Sequence, residues 1–286
     1  MTTSRTADIL AYLRRNPRLA VGLVILTGIL LFSGIGSLTV NAKLARPLSA
    51  PPFKPPSLQY PFGTDKFGRN MLAAMIVGTP LTLQVGLIAG VLGVSIATVL
   101  AFASAYYGGW FDTVIRWVVD VGLTIPSIML LIMIAIVVRD ITITQMALVV
   151  ASTAWLWPTR TMRSQVLSLK ERGYVELARL SGMSGLEIIL KELMPNLIPI
   201  IVANLVSTIA SAILATIGLE ALGLGPSEIP TLGRIIYWVI IYSGVLQGYW
   251  WWWVPPIVII VLIFLGLFLA STGLDEIANP RLRRVA

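Results

Sequence analysis

The sequence predicts an all-α integral membrane protein, and three observations support this prediction. Hydrophobic residues make up 57% of the 286 positions and charged residues only 12%, and the mean hydropathy of +0.87 is far from that of an ordinary soluble domain. The charges are unevenly spread, so several long runs carry none. A helix is the expected element in these runs, because it pairs its backbone polar groups internally, as lipid requires.

Six membrane-spanning helices are expected from the uncharged runs. Each is about long enough to cross a hydrocarbon core of about 30 Å. The first run is too long for a cleaved signal peptide and no small-residue cleavage pattern precedes a soluble body, so it is interpreted as an anchor helix. The predicted spans are residues 19–40, 81–106, 115–138, 143–160, 196–219 and 254–273.

Basic residues cluster near both ends of the chain. An even number of spans places both termini on one side, and the positive-inside rule makes that side cytoplasmic. The expected localisation is therefore the cell membrane, with a multi-pass topology. The net charge of +8 indicates contact with anionic membrane lipid rather than nucleic acid, because the basic residues lie beside spans. The terminal cluster comprises Arg5, Arg14, Arg15, Arg18, Arg281, Arg283 and Arg284.

The segments between spans divide the chain. The proline-rich stretch 45–63 predicts an extended external linker, and "GTDKFGRN" (63–70) supplies turn residues before Pro80 and the second span. Residues 220–253 are too interrupted by Gly and Pro for one helix and are expected outside. Residues 1–80 are thus assigned to the N-terminus, anchor and external loop, and residues 81–286 to a membrane domain.

One charged segment, at about residues 168–192, interrupts the apolar pattern on the cytoplasmic side. It contains two Ser-x-x-Glu sequences, at Ser168 and Ser184, that resemble capping boxes and predict two short helices. Gly182 and Gly185 lie between them, where the chain can turn sharply. Leu186, Ile189, Leu190 and Leu193 recur at helical spacing and predict an apolar face, which either lies on lipid or its own bundle, or receives another protein.

The order of residues in this segment resembles the EAA loop of ABC importer permeases, E-A-A-x3-G-x9-I-x-L-P. Leu177, Glu192 and Met194 depart from that pattern. Further stretches are similar to the C subunits of dipeptide and oligopeptide permeases, including "RWVVDVGLTIPSIMLL", "LEALGLG" and "GLDEIANPRLR", although Asn70 replaces a usual acidic residue. The positions that the resemblance assigns to ATPase coupling are Glu176, Leu177, Ala178, Gly182, Met183, Ser184, Gly185, Glu187 and Pro195.

The resemblance implies a MetI-like permease core of five helices behind the anchor helix, with residues 173–192 seated in a groove of a cytoplasmic ATPase. It further implies a homologous second permease subunit, two ATPase subunits or domains, and an extracellular or periplasmic solute-binding protein. ATP and Mg would be bound by the ATPases, because this sequence lacks G-x-x-x-x-G-K-[ST]. With neither Cys nor His, the chain is expected to be non-catalytic and to bind no metal or cofactor.

The fifth predicted span carries a polar stripe at Asn204, Thr208 and Ser211. Such a stripe either lines a water-filled translocation path or allows close helix packing. Arg116 and Asp120 are expected to pair on one helix face. Glu220 is interpreted as a residue of the membrane interface, and the tryptophans at 250–253 as interfacial anchors.

Peptides are the expected cargo, and oligosaccharides or nickel are the alternatives, because peptide-type importers include members for each. A secondary carrier driven by ions is a further alternative, in which the charged segment would have no ATPase partner. An intramembrane enzyme is disfavoured, because Asp120 and Glu220 lie far apart in the sequence and near span ends.

Overall fold

The computed structural model describes residues 13–138 and 141–278, with side chains described as far as residue 274. Apart from one isolated β-bridge between Thr64 and Asn70, the regular elements in this part of the chain are helical, which confirms the all-α fold class. Arg5, Arg139, Arg281, Arg283 and Arg284 lie outside the described residues. The helices are α1 Pro17–Thr39, α2 Met71–Tyr107, α3 Gly109–Thr124, α4 Ser127–Val137, α5 Ile143–Ala154, α6 Leu156–Lys170, α7 Gly173–Leu180, α8 Gly185–Ala221, α9 Leu232–Ile241 and α10 Trp250–Ala278.

The predicted count of six spans is not confirmed. Within the described residues four helices, α1, α2, α8 and α10, are long and apolar enough to cross a membrane, and α3 with α4 makes a fifth if the bent pair is one span. The predicted span 143–160 is divided at Trp155 between α5, of 12 residues, and α6. A helix of 12 residues is shorter than the roughly 20 that the hydrocarbon core needs.

Two predicted spans begin at the wrong residue and a third is broken; the span that was expected from residue 196 is part of α8, which begins at Gly185. The helix that was expected to start at residue 81 begins at Met71, because Asn70 accepts hydrogen bonds from the backbone N–H groups of Leu72 and Ala73 and caps it. Pro80 therefore lies inside α2. The predicted span 115–138 is bent by 89° between α3 and α4. Pro126 explains this break, since it lacks a backbone donor and disfavours helical backbone at the residue before it.

The anchor helix is an integral part of the bundle, because α1 packs along α10. A Cβ atom at Gly22 would lie 2.7 Å from the carbonyl oxygen of Gly266, and one at Gly273 would lie 2.7 Å from Leu19 Cβ. These contacts set the two helices antiparallel at close approach. The central helix is α2, which contacts α5, α6 and α8.

The proline-rich segment is folded onto the bundle, so the prediction of an extended linker is wrong. Thr64 Oγ1 donates a hydrogen bond to the Pro51 carbonyl at 2.6 Å, and the Phe53 ring stacks on Tyr249 at 4.5 Å. In the tryptophan run, Trp250 is exposed as an interfacial anchor would be, whereas Trp252 is fully buried in the core. Tertiary packing thus uses aromatic residues that composition alone assigns to the interface.

The bundle has two distinct ends. Gly185 at the start of α8 meets Tyr106 in the last turn of α2, and this end is called the near end. The opposite end, with Asn70 and Glu220, is the far end, because α8 rises about 1.5 Å per residue over its 37 residues. The prediction that residues 220–253 do not form a single helix is confirmed. The segment contains the short helix α9, which lies at the far end.

Candidate functional site

The near end is built from α7 and the first turns of α8, which share a buried apolar cluster. Val175 and Ala178 face inward from α7, and Ile188, Ile189 and Leu193 face inward from α8. Phe102 and Ala105 of α2 belong to the same cluster. The charged segment is therefore fixed to the bundle by ordinary hydrophobic burial.

Other apolar side chains of the same two helices remain exposed. The predicted apolar face of α8 is divided, because Ile189 and Leu193 are buried whereas Leu186 is 59% and Leu190 49% exposed. An unpartnered group of this kind, beside charged residues, is typical of a surface that receives another protein. We call this group the near-end surface, and its members are Tyr174, Leu177, Leu180, Leu186 and Leu190.

Two glycines shape the turn between α7 and α8. Gly182 has a φ of +83°; its N–H donates to the Arg179 carbonyl and the N–H of Met183 donates to the Ala178 carbonyl. These two bonds form a Schellman motif, which favours glycine at that position. Gly185 is needed for space instead, since a Cβ atom there would lie 2.8 Å from Tyr106 Cε1. The predicted sharp turn is confirmed.

Of the two predicted capping boxes, one is confirmed and one is wrong. The Ser184 N–H donates to Glu187 Oε2 at 3.0 Å, and the Glu187 N–H donates back to Ser184 Oγ at 3.4 Å. Ser168 caps nothing, because α6 runs through it to Lys170 and Glu171 is the C-cap. Burial of Met162 and Val166 on one face of α6 continues that helix across the Ser-x-x-Glu sequence.

A π-helical segment, Ile188–Leu193, lies between the turn and the main part of α8. The N–H of Met194 donates to the Ile189 carbonyl, five residues back. Pro195 follows directly and cannot donate a backbone hydrogen bond, and its ring clashes with the carbonyl four residues back, which favours a widened turn here. Pro195 itself is exposed, as is Glu176 in α7.

The near end is tied to the membrane helices by two further contacts. Arg163 of α6 donates two hydrogen bonds of 2.6 Å to the carboxylate of Asp112 in α3, and Lys170 Nζ donates to the Ala105 carbonyl at 2.9 Å. The expected pairing of Arg116 with Asp120 is wrong, because Asp120 lies 4.0 Å from Arg160 across to α6. The i,i+4 spacing suggested a local pair, whereas the real partners come together only in the folded bundle.

A cavity of about 370 Å³ lies where the break between α3 and α4 faces the middle of α8. Asn204, Thr208 and Ser211 of the predicted polar stripe all line it, together with Pro126 and Ser127 at the break. Among its lining residues in the described chain none is ionisable. The stripe also takes part in helix packing, since Asn204 Oδ1 accepts a hydrogen bond from Thr161 at 3.0 Å.

Sequence reasoning missed the importance of Glu220. Its interpretation as an interfacial residue is wrong, because the side chain is 0% exposed. It lies against Gly225 and Gly233, where a Cβ atom would approach Glu220 Cγ to 2.7 Å and Oε2 to 2.5 Å respectively. The spacing of these glycines after a carboxylate was the available signal.

Comparison with known proteins agrees with this architecture. The profile of the family described as "Binding-protein-dependent transport system inner membrane component" matches residues 89–284. A protein of Brucella abortus biovar 1 (strain 9-941), named provisionally as a peptide transport system permease, is 31% identical over 284 residues, covering 95% of this chain and 90% of the relative.

Two further relatives carry more specific names. The dipeptide transport system permease protein DppC of Alkalihalophilus pseudofirmus is 29% identical, over 95% of this chain and 88% of the relative. The oligopeptide transport system permease protein OppC of Mycobacterium bovis is 33% identical over 189 residues, 64% of each chain. Since the family profile covers more than half of the sequence, the chain belongs to the inner membrane components of binding-protein-dependent transport systems, the permeases of ABC transporters.

Proposed function

We propose that this chain is the permease subunit of an ATP-driven importer of peptides, and that it forms half of the translocation pore beside a homologous second permease. The near-end surface is the observation that carries the proposal. Its exposed leucines stand on a turn whose backbone is fixed by the Schellman motif and capping box. A rigid, partly charged helical element with unpartnered leucines fits a groove in a cytoplasmic ATPase.

The coupling positions in this proposal are those of the EAA loop. The transporter has two ATPase subunits or domains, which hold ATP and Mg, and one of them receives the near-end surface, while this chain is non-catalytic and binds no cofactor or metal. The coupling residues are Glu176, Leu177, Ala178, Gly182, Met183, Ser184, Gly185, Glu187 and Pro195.

The near end is cytoplasmic in this arrangement, as are both termini. Support comes from Arg14, Arg15 and Arg18, which lie at the start of α1. The antiparallel packing of α1 on α10 places that start at the near end, and basic residues favour the cytoplasmic side. The solute-binding protein then delivers cargo at the far end. Residues 1–80 remain an N-terminal part and residues 81–286 the permease domain.

Cargo passes along Asn204, Thr208 and Ser211 in the proposed path. Their hydroxyl and amide groups offer hydrogen bonds without a fixed charge, which suits peptides of varied side chains. The names of the Brucella, Alkalihalophilus and Mycobacterium relatives support peptides as cargo. Uptake of a labelled dipeptide into proteoliposomes, in competition with an oligosaccharide and with nickel, tests this choice. Competition by the oligosaccharide or nickel alone would contradict it.

The coupling proposal is tested by replacing Leu177, which is 65% exposed and contributes little to the core. Leu177→Glu should leave the protein in the membrane but reduce both co-purification of the ATPase and ATP-driven uptake by about tenfold or more. Leu58→Glu is the matched control, since Leu58 is fully exposed at the far end. Normal uptake by the Leu177 variant, or ion-driven uptake with no ATPase bound, would refute the proposal.

A further inference from the structure

Two guanidiniums, of Arg69 and Arg234, approach the indole of Trp238 at the far end, each with a carboxylate nearby, and the coupling proposal gives these four ionisable side chains no role. Asp65 and Glu220 are 1% and 0% exposed and Arg69 is 4% exposed, while Arg234 is partly buried. Trp238 itself is 5% exposed. They come from three separate segments: the loop before α2, the end of α8 and helix α9.

Asp65 and Arg69 form the half of this group that belongs to the loop. Asp65 Oδ1 accepts hydrogen bonds of 2.8 Å from the N–H groups of Phe67 and Arg69, and its Oδ2 lies 3.9 Å from Arg69 Nη1. The Arg69 guanidinium lies 3.8 Å from the centre of the Trp238 ring, a cation–π contact. Its Nε and Nη1 atoms have no hydrogen-bond partner among the described residues.

Glu220 and Arg234 form the helical half. The Glu220 carboxylate lies at the first turn of α9, against Gly233, where the helix dipole favours a negative charge. Its oxygens lie beside the Thr231 hydroxyl and the N–H groups of Gly233 and Arg234, but none of these contacts has full hydrogen-bond geometry. Arg234 donates to the Gly223 carbonyl at 3.3 Å, and its guanidinium lies 5.4 Å from the same Trp238 ring that receives Arg69.

Stability alone does not explain this arrangement. Burial of charged side chains with incomplete hydrogen bonding destabilises the folded state, and well-packed apolar residues in their place often give equal or greater stability. When the loop and α9 separate, all four charges regain water, so the hydration of these groups offsets the loss of contacts. The charge group therefore narrows the free-energy difference between a joined and a separated far end.

We propose that Asp65, Arg69, Trp238, Arg234 and Glu220 form a clasp that joins the loop 63–70 to α9 and α8, and that this clasp opens during transport. The five residues are positioning residues for α9, and none of them is assigned to contact cargo. The link to transport rests on the proposed function, whereas the existence of a joined and a separated state does not.

The experiment uses the absence of cysteine from the sequence. One cysteine is introduced at Leu48, which is 89% exposed in the long loop between α1 and α2 and whose N–H donates to the Phe67 carbonyl, and the other at Ile241, 55% exposed on α9. These cysteines accept spin labels without background. Distances between the labels are measured in the complete transporter in lipid nanodiscs, without nucleotide and with ATP plus binding protein. ATP hydrolysis without binding protein is measured on the same preparations.

Glu220→Gln should loosen the clasp, because it leaves the partly buried Arg234 guanidinium without its nearby carboxylate. We expect a second, longer distance without nucleotide and about a fivefold rise in hydrolysis without binding protein. Glu220→Gln combined with Arg234→Met removes a charge pair, so it should restore the single short distance and bring hydrolysis to the parent rate or below. Lys54→Gln, an exposed cation of the same loop, is the control and should match the parent.

Reversal by the second substitution distinguishes a clasp from simple packing. If the single and double variants are equally impaired, or if Glu220→Gln changes neither distance nor hydrolysis, the proposal is overturned. Should the Glu220 variants fail to reach the membrane, Arg69→Met with and without Asp65→Asn makes the same comparison on the loop half, because the single variant leaves a buried carboxylate without its cation and the second substitution removes that charge. The distances without nucleotide need no ATPase, so failure of the coupling proposal would leave this result readable.

Discussion

The two ends of the bundle use charge in opposite ways. At the near end, Glu176 and Arg179, the two charged residues of α7, are exposed beside exposed leucines, and the proposed ATPase would cover this surface. At the far end, Asp65, Arg69 and Glu220 are buried, and the guanidiniums of Arg69 and Arg234 approach the indole of Trp238. Exposed charge beside apolar side chains thus favours an intermolecular contact, whereas buried charge with incomplete hydrogen bonding favours an internal contact that can be broken.

The largest expected effect comes from Gly182→Arg at the near end. The positive φ of +83° strains any L side chain, and the long cation would project into open space where the ATPase is proposed to bind. We expect ATP-driven uptake to fall by more than about tenfold while the protein stays in the membrane. Gly182→Asn is the control, because Asn tolerates this backbone; an equal loss in both variants would mean that backbone strain alone is responsible.

A smaller loss is expected when the near end is detached from the membrane helices. Asp112→Asn removes the bidentate, partly buried pair with Arg163, and uptake should fall roughly three- to tenfold as the near end transmits less movement to α3. Asp120→Asn removes only an exposed pair at 4.0 Å, which contributes little. Comparable uptake by both variants would contradict the expectation that the Asp112–Arg163 pair contributes more than the Asp120–Arg160 pair.

The far end should respond to pH through Asp65. Burial raises the pKa of this carboxyl to about 6, against hydrogen bonds from the Arg69 and Phe67 backbone. Because the folded pKa exceeds the ordinary value of 3.8, the stabilisation is complete below about pH 4 and is lost as the pH rises through 6. Relative to Asp65→Asn, the melting temperature of the parent should fall by roughly 2–4 °C between pH 5 and pH 7. A constant difference would contradict the burial of a titrating carboxyl.

The smallest expected effect separates the two Ser-x-x-Glu sequences. Ser184→Ala removes the cap of α8 and should cost about 1 kcal/mol locally, seen as faster amide hydrogen exchange in Gly185–Glu187. Ser168→Ala replaces an exposed serine in the last turn of α6 by a better helix former, so exchange there should be unchanged or slower. Equally faster amide exchange in both variants would show that Ser168 also acts as a helix cap.

Sequence reasoning found the elements whose signals are local. Long uncharged runs predict α1, α10 and the end of α8 closely, whereas the start of α8 is missed by eleven residues. The glycine turn at Gly182 and the Ser184 capping box depend on neighbouring residues only. The polar stripe at Asn204, Thr208 and Ser211 was placed on one face because a helical period is local as well.

The remaining features depend on contacts distant in sequence. Asp112 finds Arg163 only after α3 and α6 pack together, and the burial of Glu220 requires α9 to fold back over the end of α8. One missed feature was local: Asn70 caps α2 and Pro80 is tolerated inside it, which moved a boundary by ten residues. The packing of the proline-rich segment on Tyr249 and Trp251 could not be read from composition.

Helix α8 extends from the glycine turn to Ala221 and includes the π-helical segment, over 37 residues or about 55 Å. A rod of this length acts as a lever if it pivots near its midpoint, beside the cavity. A tilt of about 5° would displace each tip by roughly 2–3 Å in opposite directions. A displacement of the near end, where the ATPase is proposed to bind, would then produce an equal displacement at the clasp in the opposite direction, without any change in the conformation of α8.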